Sequence, residues 1–174
     1  MSRPAALALA LALAVGCASP PADPAVGPPG LEEARARAEA LEATGWARLA
    51  RRDLPGARRA FHAAWCADPV FVRAHLGLAR CHYEAGDLAL EVAEYRKALA
   101  LAPALVEAWV NLGHAHLALD QLAEARAAYR RALELGAHRP QVLFNLLRVE
   151  RDLGHEVEAR RLAEELGGQV RGAW

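Results

Sequence analysis

Several things are scarce in this chain of 174 residues, and each scarcity removes an option. Isoleucine is absent, valine is sparse and aromatics make up only 6%. Sheet cores draw on β-branched and aromatic side chains, so a β architecture is excluded as the main fold. Neither sign of charge is in excess, with Lys+Arg and Asp+Glu each counting 21. A nucleic-acid binder shows a basic surplus gathered on one face, so no nucleic-acid partner is expected. There are three cysteines and seven histidines, with no C-x-x-C and no H-E-x-x-H. Zinc needs four well-placed ligands, so no metal is expected. His62 and Cys66 share a helical face, and Cys81-His82 lies in the next helix, but His82 and His116 read as packing residues. G-x-S-x-G, a phosphate-cradling glycine loop and a nucleophile spaced from a base are all missing. The chain is therefore not expected to be an enzyme or to carry a cofactor. The apolar run Ala5–Val15 has 11 residues, against roughly 20 for a bilayer-spanning helix.

That short run is instead the length of a secretory h-region, with Arg3 as its positive flank. It assigns residues 1–16 to a signal peptide. Residues 18–30 read ASPPADPAVGPPG, with five prolines in 13 positions. Such a stretch cannot keep a helix or a ladder and makes a semi-extended tether. Between them, Leu13-Ala14-Val15-Gly16-Cys17 resembles the lipobox of bacterial lipoproteins. Ala14 stands where leucine is commoner, and Arg3 is a thin n-region. The resemblance implies that Cys17 is diacylated and becomes the mature N-terminus, so that residues 17–30 hold a domain off the membrane. Ala18, rather than Asp, after the cysteine implies a bacterial cell-envelope location on the outer membrane, facing the periplasm.

From Leu31 the composition turns to Ala, Leu, Glu and Arg, which favour helix. Self-similarity then appears at 34 residues. Phe61, Tyr95 and Tyr129 are 34 apart, as are Ala64, Ala98 and Ala132. Gly45, Ala79 and Gly113 keep the same period, as do Leu54, Leu88 and Leu122 and the alanines 40, 74 and 108. Pro69 and Pro103 follow the second helices and stop them. Each period predicts two helices joined by a tight turn, at Arg52-Asp53, Gly86-Asp87 and Asp120-Gln121. Asp53 and Asp87 can cap the helices that follow. The small residues at the Gly45 and Ala57 levels allow close approach, and the aromatic fills the space between. One helix pair cannot bury its apolar face alone, so neighbours must stack.

These positions resemble the tetratricopeptide repeat (TPR). In the unit 106–139, Trp109, Leu112, Gly113, Ala125, Tyr129 and Ala132 stand at the signature positions, and units 38–71 and 72–105 share the register. The resemblance implies an all-α, right-handed solenoid over 31–139. Residues 140–174 form a degenerate fourth unit and capping helix in which Leu146, Gly154 and Ala159 keep the register. Glu91 departs from the alanine of its level and is expected to lean into solvent. An oxidising compartment would allow Cys66 to pair with Cys81. The Arg-Arg pairs, such as Arg58-Arg59 and Arg130-Arg131, read as exposed faces.

The TPR resemblance also implies a binding groove lined by the first helix of each unit. Its positions here are Glu39, Glu42, Trp46 and Leu49, then Arg73, Leu76, Arg80 and Tyr83. Glu107, Val110, His114 and Leu117 follow, then Gln141, Phe144, Arg148 and Arg151. The expected partner site is Arg73, Leu76, Arg80, Tyr83, Val110, His114, Leu117, Phe144 and Arg148. It pairs an apolar strip with cations and suits an extended peptide or a partner helix. The family's clamp for a C-terminal carboxylate is disfavoured, since Glu42, Trp46, Gly77, Glu107 and Asn111 occupy its positions; one unit on, Leu76, Arg80, Asn111, Gln141 and Asn145 match it only in part. The expected function is a non-enzymatic, membrane-tethered scaffold for assembling an envelope complex. The alternative is an accessory subunit of an envelope enzyme or export complex.

Overall fold

The computed structural model describes residues 30–137 and 139–171. The signal segment, Cys17 and the Pro/Ala-rich tether lie outside the described residues. Among those residues there are eight α-helices and no strand. They are α1 (Leu31–Ala50), α2 (Leu54–Ala67), α3 (Val72–Ala85), α4 (Leu88–Leu101), α5 (Val106–Ala118), α6 (Leu122–Glu134), α7 (Pro140–Asp152) and α8 (Glu156–Arg171). The chain divides after Asp87 into two compact halves, α1–α3 and α4–α8. No described helix is long and apolar enough to cross a membrane.

The period is written into the turns. Positive φ falls at Arg52 (60°), Gly86 (80°), Asp120 (57°) and Gly154 (76°). The next residue in each case donates its N–H to a carbonyl five back: Asp53 to Arg48, Asp87 to His82, Gln121 to His116 and His155 to Glu150. This left-handed closure satisfies carbonyls that a helix end leaves open. Glycine takes it at no steric cost, whereas Arg52 and Asp120 take it against a modest penalty. The fourth turn, at Gly154, shows that the degenerate C-terminal segment keeps the same backbone register. Asp53 caps α2, its Oδ1 accepting from Gly56 N at 2.9 Å, with Arg48 on its other oxygen. The Gly56 hydrogen bond, then Arg48, holds the Asp53 carboxyl below the usual range.

In the first half, α1, α2 and α3 pack on one another. The Phe61 ring lies between two first helices. A Cβ on Gly45 would stand 2.6 Å from it, and one on Gly77 would run into the same ring. Phe61 and Ala57 are fully buried, with Leu78 and Cys81 beside them. A second layer joins Ala38, Ala64, Trp65, Phe71 and Ala74. The first helix starts earlier than the unit 38–71 requires, extending back to Leu31.

In the second half, Tyr129 repeats the role of Phe61, with Gly113 under its ring. The core continues through Ala132, Val142, Leu143, Leu146 and Val149 to Leu162 of α8. Ala159 keeps the small residue at the α7–α8 contact. Glu150, fully buried near the end of α7, is the polar centre of this end. Arg126 Nε reaches both of its oxygens at 2.8 and 2.9 Å, Arg130 lies at 3.1 Å and His155 Nδ1 at 2.6 Å. Arg130 also bridges to Glu158 of α8 at 3.3 Å. Burial pushes the Glu150 carboxyl up, but the His155 hydrogen bond and the two guanidinium groups outweigh it and hold it below its ordinary value.

Two expectations are corrected here, and one pairing left open by the sequence is settled. Glu91 does not lean into solvent. It is 4% exposed, and the residue is engaged where it sits. Cys81 does not pair with Cys66. It is a free, buried thiol in the Phe61 layer, whereas Cys66 packs at the edge of the Trp65 layer. Burial pushes the Cys81 thiol up to about 11, which makes it inert at neutral pH. Arg130 is not a free surface cation, being committed to Glu150 and Glu158.

Three substitutions test this packing. Gly77→Val puts carbon where the Phe61 ring sits, so urea unfolding should show a loss of about 1–3 kcal/mol. Ala43→Val on exposed α1 should change stability by no more than about 0.5 kcal/mol. The depressed pKa of Glu150 contributes stability above the carboxyl's unfolded value, and that stability is lost as pH falls through the folded one. Glu150→Gln should therefore cost about 2–4 kcal/mol at pH 7. It should also flatten the decline of stability in acid, below about pH 5, measured by denaturation across that range.

Candidate functional site

In the first half, the groove-lining positions lie on α1 and α3. Glu42 is only 6% exposed although it is charged. Its Oε1 accepts from Trp46 Nε1 at 2.9 Å, one turn on, and from Arg73 Nε of α3 at 2.8 Å. One carboxylate oxygen thus fixes an aromatic and a cation drawn from two helices. Trp46 also meets Phe61 edge-on, with centroids 5.0 Å apart, and remains 40% exposed. Arg80 stacks over Tyr83 at 5.2 Å and pairs with Glu84. Tyr83 is 53% exposed. Leu76 and Leu49 are half-buried. Arg73 and Arg80 therefore do not stand as bare cations: each is oriented by a carboxylate of its own half.

In the second half, the positions lie on α5 and α7. Phe144 is half-exposed and Arg148 exposed. His114 is exposed on one side and lies edge-on to Tyr129 on the other, centroids 5.6 Å apart. Its Nε2 stands 2.9 Å from Nδ2 of buried Asn145. The amide donates, so the imidazole is neutral and carries its proton on Nδ1. Partial desolvation lowers the His114 pKa in agreement with that form. Burial also raises the Tyr129 phenol, partly offset by Arg148 nearby. Val110 and Leu117 are half-buried and pack on the core of this half, so they contribute less open surface than the spacing suggests.

The nine expected residues thus fall into two sets, Arg73, Leu76, Arg80 and Tyr83 in one half and Val110, His114, Leu117, Phe144 and Arg148 in the other. Sequence reasoning left Glu42, Trp46 and Asn145 outside the favoured site. Asn145 and the Glu42–Arg73 pair carry no local signal, because the partners are 31 residues apart. Trp46 had one: a large aromatic next to Gly45 at a lining position. Among the described residues, no three His, Cys, Asp or Glu side chains gather as metal ligands would. His116, assigned to packing, is buried with its Nδ1 2.6 Å from Gln121.

No curated protein matches the chain. Among solved structures, a MamA protein shares 24% identity, with a TM-score of 0.71 over 78% of this chain and 74% of that one. The first TPR of Spaghetti (RPAP3), bound to the HSP90 peptide SRMEEVD, shares 22% identity, with a TM-score of 0.65 over 69% of this chain and 95% of that one. The first TPR domain of human RPAP3 matches at 22% identity and a TM-score of 0.63, over 71% of this chain and 97% of that one. These likenesses bear out the all-α repeat fold. Tetratricopeptide-repeat profiles match residues 42–105 and 106–136, more than half of the sequence. With the 34-residue turns and the ring-on-glycine contacts, those matches place this chain in the tetratricopeptide-repeat family.

Proposed function

We propose that this chain is a non-enzymatic scaffold that holds a protein partner against the lining positions of its first helices. The observation that carries this reading is where its large aromatics are left open. Trp46, Tyr83 and Phe144 are 40%, 53% and 50% exposed, and all three stand at lining positions. Tyr83 lies beneath the Arg80 guanidinium. Aromatic and arginine side chains dominate the energy of protein interfaces, so their joint exposure at one register argues for a partner. The RPAP3 neighbour, bound to a peptide, supports a peptide ligand for this fold.

The same proposal holds the scaffold at a bacterial membrane through lipid on Cys17. The lipobox-like LAVGC and the proline-rich stretch after it support this reading. A location on the outer membrane, facing the periplasm, with a part in assembling an envelope complex, completes it.

Affinity purification from detergent extracts, read by mass spectrometry, tests both parts. A stoichiometric protein partner is expected, and the paired change Arg80→Glu and Arg148→Glu should remove it. If those changes leave the partner bound while changes on α2 and α6 remove it, the lining-face reading is wrong. Cys17→Ser should move the protein from the membrane fraction to the soluble one and abolish labelling by radioactive palmitate. A Cys17→Ser protein that stays equally membrane-bound would end the lipid-anchor reading and leave the scaffold reading standing.

A further inference from the structure

The first half carries a buried carboxylate that orients two groups left open to solvent. Glu42 sits 94% out of solvent's reach yet is charged, and it spends one oxygen on both Trp46 and Arg73. The consequence for each donor differs. Trp46 gives up its only N–H, and Phe61 braces its ring from beneath, so what remains open is an apolar face that no longer needs a polar partner. Arg73 is bonded through Nε, and its side chain is 68% exposed. A guanidinium has two hydrogen-bonding edges, and bonding through Nε leaves the Nη1/Nη2 edge to solvent. No acceptor among the described residues meets that edge. Glu42 already balances the charge of Arg73 in the free protein, so the arginine is held in place without a ligand. Orienting both groups beforehand removes an entropy cost that a binding partner would otherwise meet.

We infer that Trp46 and Arg73 form a two-part subsite for an acidic, apolar-flanked peptide segment of a partner protein. The apolar side chain stacks on the open face of Trp46, and a neighbouring Asp or Glu carboxylate takes the Nη1/Nη2 edge of Arg73 as a bidentate pair. Charge selects this occupant. Glu42 is buried and spent on Trp46 and Arg73, and Glu84 pairs with Arg80, while the guanidinium groups of both arginines stay exposed. A basic segment would meet the open edge of Arg73 directly, with Glu39 the one exposed carboxylate among the lining positions of this half. The inference rests on the scaffold reading above and narrows it to a partner chemistry and a place.

The test pans a phage-displayed library of random dodecapeptides against the full chain. The best peptide is then measured by fluorescence anisotropy. Selected peptides should carry Asp or Glu within two residues of an aromatic or branched aliphatic residue. Arg73→Lys keeps the ion pair with Glu42 but loses the fork, and should weaken binding about tenfold. Trp46→Ala should weaken it about 30-fold, with circular dichroism confirming the fold. Trp46→Phe, which keeps a ring over Phe61, serves if the alanine variant unfolds, and should weaken binding by less. Replacing the peptide's carboxylates by amides should cost the wild type as much as Arg73→Lys does, and should cost the Arg73→Lys variant almost nothing. Peptides lacking acidic residues, or binding that ignores Trp46 and Arg73, would overturn the subsite. If such binding is lost instead in Phe144→Ser, the subsite falls and the scaffold reading stands. A failure to select any peptide overturns both. Two results would give the site to this chain itself rather than to a partner and would also overturn the inference. One is competition by a synthetic peptide of residues 18–30; the other is concentration-dependent dimerisation that Trp46→Ala abolishes.

Discussion

Everything in this molecule depends on one contact: an aromatic ring on a second helix pressed against a first helix at a point where no side chain intervenes. Phe61 does this against both Gly45 and Gly77, and Tyr129 does it against Gly113. The ring fills the space that the missing Cβ leaves, so helix separation is set by ring thickness rather than by side chains that can adjust. Once that level is fixed, the alanines at positions such as 57, 64, 125 and 132 are forced inward and stay fully buried. What faces outward is then decided too. Residues one step off the buried stripe, among them Trp46, Tyr83 and Phe144, cannot turn into the core because its volume is already used.

Buried carboxylates make up the second layer of organisation. Glu42 and Glu150 are both shut away from water, and each is met by arginine from another helix. Removing a carboxylate from water costs several kcal/mol unless partners replace the solvent. Here they do, and the result in each case is orientation more than raw stability. Glu150 ties α6, α7 and the turn into α8 together at the closing end. Glu42 ties α1 to α3 and leaves an indole face and a guanidinium edge pointing outward. The two sites use the same chemistry for different purposes, one to seal an end and one to present a surface.

Most of the architecture was legible in the sequence because a 34-residue period repeats its evidence. Gly45, Phe61, Ala64 and their equivalents each announce themselves several times, and the turns fall where the spacing puts them. The closing segment was readable by Gly154, which holds the left-handed turn, even though its aromatic is gone. What could not be read were pairings across 20 to 31 residues, such as Arg130 with Glu150 and Arg73 with Glu42. A charged residue looks the same in sequence whether it faces water or a partner on the next helix. Glu91 shows this directly. Composition sends a glutamate to solvent, while the packing of its level buries it. Val110 and Leu117 err the other way, since the repeat resemblance assigns them to an open face and the core claims part of each. Trp46 stood in plain view, but without Glu42 beneath it nothing distinguished an oriented indole from a poorly packed one.

The central claim is that the faces of the first helices, not those of the second, meet the partner. Hydrogen exchange on the chain with and without its co-purified partner measures this most directly. Slowed exchange is predicted in α1, α3, α5 and α7 on binding, with α2 and α6 unchanged beyond the general gain in stability. Protection confined to α2, α4 and α6, with the first helices exchanging as in the free protein, would contradict the account.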